Sequence, residues 1–243
     1  NNGFTYGTAM YFPQTGNAVN IYALHGNFSP AFGTGDAFPT TIDYTVPANQ
    51  SAGGTVYTNA DLLYAYSDNV ARNGNPTTAS LTFYHMLSKL ELAIKVGSGA
   101  PALATSGAVT LGNNDITMNG GFKPSTTATM TNQAECAAML YTAATPATGT
   151  LTLGQEVSTD FTDPNIVYNE AILVPQDISG KVLAFRLANG GTLKYTIPAG
   201  TTFESGKKYR YHITLNLTGL QVSSAIETWE AINPVSGNVE MDC

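Results

Sequence analysis

Between Tyr209 and Leu217 the chain alternates without interruption. Tyr209, Tyr211, Ile213, Leu215 and Leu217 fall on one side of an extended backbone, and Arg210, His212, Thr214 and Asn216 fall on the other. A period of two is that of an antiparallel strand with one face buried and one face wet. The residues at 203–208 supply a turn before it, and those at 223–229 read as a second, short strand after it. The rest of the chain follows the same grammar. Strand-length apolar and aromatic runs alternate with Gly, Pro, Asn and Thr punctuation, and helical periodicity is scarce.

The expected class is therefore all-β. With 243 residues, 43% of them hydrophobic, the chain can bury one large sandwich or two small ones, and two is the preferred reading. Only 11% of residues are charged, against about 25% in an average soluble domain, a texture common among surface-exposed β-proteins. A net charge of −7 supplies no basic stripe for nucleic acid and disfavours anionic membrane surfaces. No apolar run has the length of a transmembrane helix, which needs about 20 residues, so an integral membrane protein is not expected. The first residues lack the basic and apolar regions of a signal peptide, so any export signal is expected upstream or already removed.

Strands are expected over 8–12, 18–24, 41–46 and 60–66. A long segment over 79–96 carries Leu81, Phe83 and His85 on one parity and Leu90, Leu92, Ile94 and Val96 on another. The parity shift between Met86 and Lys89 predicts a bulge, a bend or a change of sheet. The domain boundary is placed here, giving an N-terminal sandwich over 1–88, expected to be incomplete, and a C-terminal sandwich with its tail over 89–243. Further strands are expected over 108–111, 115–118, 127–130, 148–153 and 168–174. A hairpin is expected over 182–187 and 192–197, around Asn189-Gly190-Gly191.

Residues that could carry chemistry are thinly spread. His25, His85 and His212 have no second ligand at metal spacing, and the bland reading of each is a structural imidazole. Asp36, Asp43, Asp61, Asp160, Asp163, Glu170 and Glu204 sit in scattered, turn-like contexts, and Asp61 and Asp163 read as turn caps. No nucleophile elbow or phosphate loop occurs, so neither an enzyme nor a cofactor is expected. Cys136 and Cys243 give no metal pattern, and their pairing is left open. Phe28, Phe32 and Phe38 read either as a lid on the core or as a sugar-stacking platform, and Trp229 reads as a core plug beside the closing strand.

Several blocks in order carry a resemblance. They are Met10-Tyr11-Phe12-Pro13, Val19-Asn20-Ile21-Tyr22-Ala23, Asp61-Leu62-Leu63-Tyr64-Ala65, the run from Leu81 through Tyr84-His85-Met86-Leu87-Ser88-Lys89 to Leu90, Ala171-Ile172-Leu173-Val174-Pro175-Gln176, and the closing run from Phe203 to Trp229. Together they resemble the fimbrillin-like proteins, the type V pilins of Gram-negative gut and oral anaerobes.

The resemblance implies two transthyretin-like Greek-key sandwiches in a subunit exported as a lipoprotein precursor to the outer membrane. It also implies assembly into a surface fimbria by donor-strand exchange with other pilin subunits. In that family an N-terminal strand is removed by proteolysis, and a neighbour's extended segment fills the groove it leaves. The lipidation cysteine and first strand of the family pattern are not matched here, which is expected to reflect processing or the span of the chain. The donor would be the tail after Trp229, with Ile232, Val235, Val239 and Met241 as its apolar anchors, although Pro234 and Gly237 interrupt any ladder. A tip or accessory subunit binding a host protein or a glycan is the alternative.

Overall fold

The computed structural model describes residues 16–30, 38–51, 55–72, 79–105, 107–124, 131–156, 166–216 and 219–229. The first elements in chain order are β1 (Val19–His25), β2 (Phe28–Ser29), β3 (Ile42–Thr45), α1 (Thr55–Ala60), β4 (Leu63–Val70) and β5 (Tyr84–His85). Then come β6 (Ser88–Val96), β7 (Val109–Thr117), β8 (Asn119–Phe122), α2 (Ala134–Met139), β9 (Leu140–Thr142), β10 (Thr148–Thr152) and β11 (Gly154–Glu156). The last are β12 (Ile166–Leu173), β13 (Gln176–Asp177), β14 (Val182–Arg186), β15 (Thr192–Thr196), β16 (Thr202–Phe203), β17 (Lys207–Asn216) and β18 (Gly219–Thr228). The all-β expectation holds. The segments expected over 8–12 and 127–130 lie outside the described residues.

The alternation that marks the C-terminus becomes β17. Tyr209, Tyr211, Ile213 and Leu215 are buried, whereas His212 is exposed. Burying each such apolar side chain stabilises by roughly 1.5–3 kcal/mol, so the pattern sets which way the strand faces. β17 lies inside a five-stranded sheet of order β11-β12-β6-β17-β18. It pairs antiparallel with β18 and parallel with β6, Tyr209 lying opposite Leu90 and Ile213 opposite Ile94. A parallel pair needs a long crossover, and residues 97–206 provide it. The four-stranded sheet β10-β7-β14-β15 contributes Val109, Leu111, Leu183 and Phe185 to the same continuous core.

The other main sheets are β1-β4-β5 and β2-β3-β8-β9. β4 alternates between two apolar faces: Tyr64 and Tyr66 join the main core, while Leu63 and Ala65 pack with Phe83 in a small second cluster. Tyr64 meets Phe122 of β8 at 5.4 Å between ring centroids. β3 pairs with β8, Ile42 opposite Phe122, so one sheet takes strands from both sides of position 88.

Four local features refine the sequence reading. The parity shift is a change of sheet, because β5 belongs to β1-β4-β5 and β6 to the five-stranded sheet, with Met86 and Leu87 buried at the crossing. The strand after the closing one is not short. β18 has ten residues, but as an edge strand with little apolar alternation it gives a weak sequence signal. The expected pair over 108–111 and 115–118 is a single strand, β7, in which residues 112–115 stand opposite Thr150 alone. Gly112 and Asn114 there take positive φ, and Asp115 accepts the Asn113 N–H at 2.7 Å. The short helices α1 and α2 have no counterpart in the sequence reading.

Candidate functional site

The crossing from β5 to β6 is held by a dense set of hydrogen bonds. The carbonyl of His85 accepts Gln133 Nε2 at 2.6 Å, that of Met86 accepts the Ser205 hydroxyl at 2.8 Å, and that of Leu87 accepts the Gly206 N–H at 2.8 Å. In return the Ser88 hydroxyl donates to the Glu204 carbonyl at 2.8 Å, and the Met86 N–H donates to Leu62 at 2.9 Å. Three of the blocks singled out in the sequence, at 61–65, 81–90 and 203–209, are thus bonded to one another. Their common purpose is to satisfy backbone groups where the chain leaves one sheet for another, which no ladder can do.

Gly206 is constrained twice. Its φ of +66° favours glycine, and a Cβ there would run into the Gln133 side chain. Beside the corner, His85 is buried, and its Nδ1 lies 2.9 Å from the Asp61 carboxylate. Asp61, expected to cap a turn, is thus held by an imidazole, and its carbonyl lies 3.1 Å from His25 Nδ1. The His85 ring stacks on Trp229 at 3.6 Å with planes 13° apart.

A charged stripe crosses the outward face of the five-stranded sheet. Glu91 accepts Arg210 at 2.7 and 2.9 Å and lies 3.2 Å from Lys89 Nζ. Lys89 also reaches Glu170 at 2.9 Å, and the Tyr57 hydroxyl donates to Glu170 at 2.6 Å. Lys208 and Arg210 approach Glu227 of β18 at 3.2 and 3.6 Å. Burial on its own would raise the Glu91 pKa, but Lys89, Arg210 and Lys208 more than reverse this and hold it below its ordinary value. Glu170, one of the scattered acids noted in the sequence, is occupied by this network.

Other sequence candidates are placed as follows. His212 is exposed on β17, and Asp43 accepts the Tyr141 hydroxyl at 3.0 Å. Glu204 lines a cleft of about 740 Å³ together with Tyr141, Pro175, Thr202 and Lys207. Phe28 and Phe38 are half-buried against the main core, and Phe38 stacks on Tyr22 at 4.0 Å. Trp229 is also half-buried against that core. Cys136 is buried, its thiol pushed up to about 12 by desolvation. Phe32, Asp36, Asp160, Asp163, Cys243 and the anchors Ile232, Val235, Val239 and Met241 lie outside the described residues. No group of three or more metal-ligating side chains occurs among the described residues, and no helix there is long and apolar enough to cross a membrane.

Sequence reasoning missed Gln50 and Gln133. Gln50 is fully buried, accepts the Ile172 N–H at 2.9 Å and donates to the Ile172 carbonyl at 2.7 Å. It extends the β12 edge past the short β11 as one more strand residue would. An isolated amide in a loop carries no periodicity by which to find it.

Among the described residues the longest edge strand is β18, which closes the five-stranded sheet, pairs there with β17 alone and leaves Ile226 67% exposed. It leads directly to Trp229. An edge of this kind presents backbone donors and acceptors suited to strand addition.

Comparison with known proteins accords with this architecture. A candidate cell adhesion protein from Bacteroides uniformis superposes with a TM-score of 0.61 at 19% identity, over 91% of this chain and 77% of the other. A second, from Bacteroides ovatus, gives 0.59 at 21% identity, over 87% and 68%. At these identities the likeness is one of fold. No curated protein sequence matches the chain significantly. The fimbrillin-like family model matches residues 1–229, a span that includes every sequence block noted above and the whole corner they build. The chain therefore belongs to the fimbrillin-like family.

Proposed function

We propose that the protein is a structural subunit of a cell-surface fimbria, assembled with other pilin subunits by donor-strand exchange and contributing to adhesion. Fimbrillin-like proteins are structural, and the chain is not an enzyme. On this reading 1–88 and 89–243 form two sandwich units that share the β3–β8 pairing, and the chain reaches the outer membrane as a lipoprotein precursor. The observation that carries the reading is the C-terminal strand. β18 is a ten-residue edge paired on one side, and it delivers the chain to a fixed point at Trp229. A donated segment gains main-chain bonds along an acceptor edge, and its alternate side chains fill vacant pockets.

The anchors are tested by charge. Replacing Ile232 and Val239 together with Asp leaves the monomer folded and abolishes SDS-resistant ladders of processed protein. Ladders unchanged by both substitutions would remove these residues from the donor role.

One observation favours a second reading, that of a tip or accessory adhesin. Phe28 and Phe38 are only half-buried, and the Phe38–Tyr22 stack extends to Tyr66 at 4.8 Å. These rings would form a platform for a sugar or a host protein. Glycan-array binding by the monomer, lost in Phe38→Ala, would favour that reading over a stalk subunit.

A further inference from the structure

We infer that Trp229 is a latch: it clamps the end of β18 onto the corner between β5 and β6, so that the corner and the strand end open and close together. The terminal pair of the β17–β18 ladder is Lys207 with Thr228. An edge strand paired on one side is expected to fray at such an end. Here, instead, the next residue is held by three separate parts of the chain. The Trp229 N–H donates to the Gly206 carbonyl at 2.9 Å, continuing the bonding one residue past the ladder. The indole lies flat on His85 of β5, and Lys89 Nζ of β6 stands 5.9 Å from its ring centroid, within cation–π reach.

The platform is rigid. His85 is fixed at its ring by Asp61 and at its carbonyl by Gln133, whose side chain packs against Gly206. The indole thus rests on a residue whose own carbonyl makes one of the bonds that carry the chain from one sheet to the next. A core plug would sit in the middle of a buried face. Trp229 is half-buried and stands at the end of its strand, where its effect is to set the point and direction from which the following chain departs. The inference holds whether or not that following chain serves as a donor strand.

Trp229 is the only tryptophan, so intrinsic emission reports on the latch alone. In His85→Ala, folded by circular dichroism, the emission shifts to the red and acrylamide quenching rises about 2- to 10-fold, the range set by losing one stacked ring pair. Lys89→Met moves both in the same direction by less. Coupling is reciprocal, so Trp229→Ala speeds hydrogen exchange at the Met86 amide, which bonds to Leu62 across the corner. Unchanged emission and quenching in folded His85→Ala would overturn the inference. Should His85→Ala fail to fold, exchange in the unmodified chain decides: a Trp229 amide protected like the mid-strand amides of β18 supports the latch, and one exchanging at the rate of free peptide overturns it.

Discussion

At the residue scale, the described structure depends on a few polar side chains placed where ladders stop. Gln50 supplies both a donor and an acceptor to buried backbone at Ile172. Gln50→Ala leaves those groups unmatched and is expected to cost about 2–4 kcal/mol, the penalty of stranding two buried polar groups, read as a lower urea midpoint at unchanged slope. Gly206→Ala, which combines a positive φ with the obstructing Gln133 side chain, is expected to cost ~1–3 kcal/mol by the same measurement. Glu91 sets an acid limit. Its folded pKa is depressed, so its stabilisation is present above the ordinary carboxylate range, around pH 4.3, and is lost as pH falls through the depressed folded value. Urea midpoints measured between pH 7 and 3 should fall steeply at the acid end, and Glu91→Gln should flatten that fall while lowering the plateau. None of this could be read in advance. Gln50 and Gln133 act through partners 122 and 48 positions away in the chain, Gly206 through Leu87 and Gln133, and His85 was legible only as a residue in line with Leu81 and Phe83.

At the element scale, the sequence was most informative where burial alternates. β17 and β6 stand out because one face of each must be apolar, and the hairpin of β14 and β15 stands out because Asn189-Gly190-Gly191 allows little but a turn, Gly190 taking a φ of +89°. β18 was understated because most of its residues are exposed on both faces, so its sequence carries little alternation. The two strands therefore differ in what substitution does to them. Ile213→Ala, deep in the core, is expected to cost about 2–5 kcal/mol. Ile226→Thr, on the exposed edge, is expected to change stability by less than ~0.5 kcal/mol. Equal urea midpoint shifts for the two variants would mean that the β18 edge is covered. The β3–β8 pairing and the parallel β6–β17 pairing were not legible at all, since residues far apart in the chain meet there and single-strand periodicity says nothing about neighbours.

At the scale of the whole molecule, three of the blocks that first suggested a family, at 61–65, 81–90 and 203–209, meet where the chain passes from one sheet to another. These blocks specify an architecture, and on the proposed reading the function rests on the edges that the architecture presents. On the proposed reading the donor follows Trp229 and the acceptor is an edge uncovered by N-terminal processing. The most direct test mixes the precursor, before and after limited trypsin cleavage of its N-terminal region, with each chain either full length or truncated after Trp229, and follows SDS-resistant ladders. On that reading ladders form only when cleavage and the tail are both present. A protein that stays monomeric in every combination, or that ladders without its tail, would contradict it.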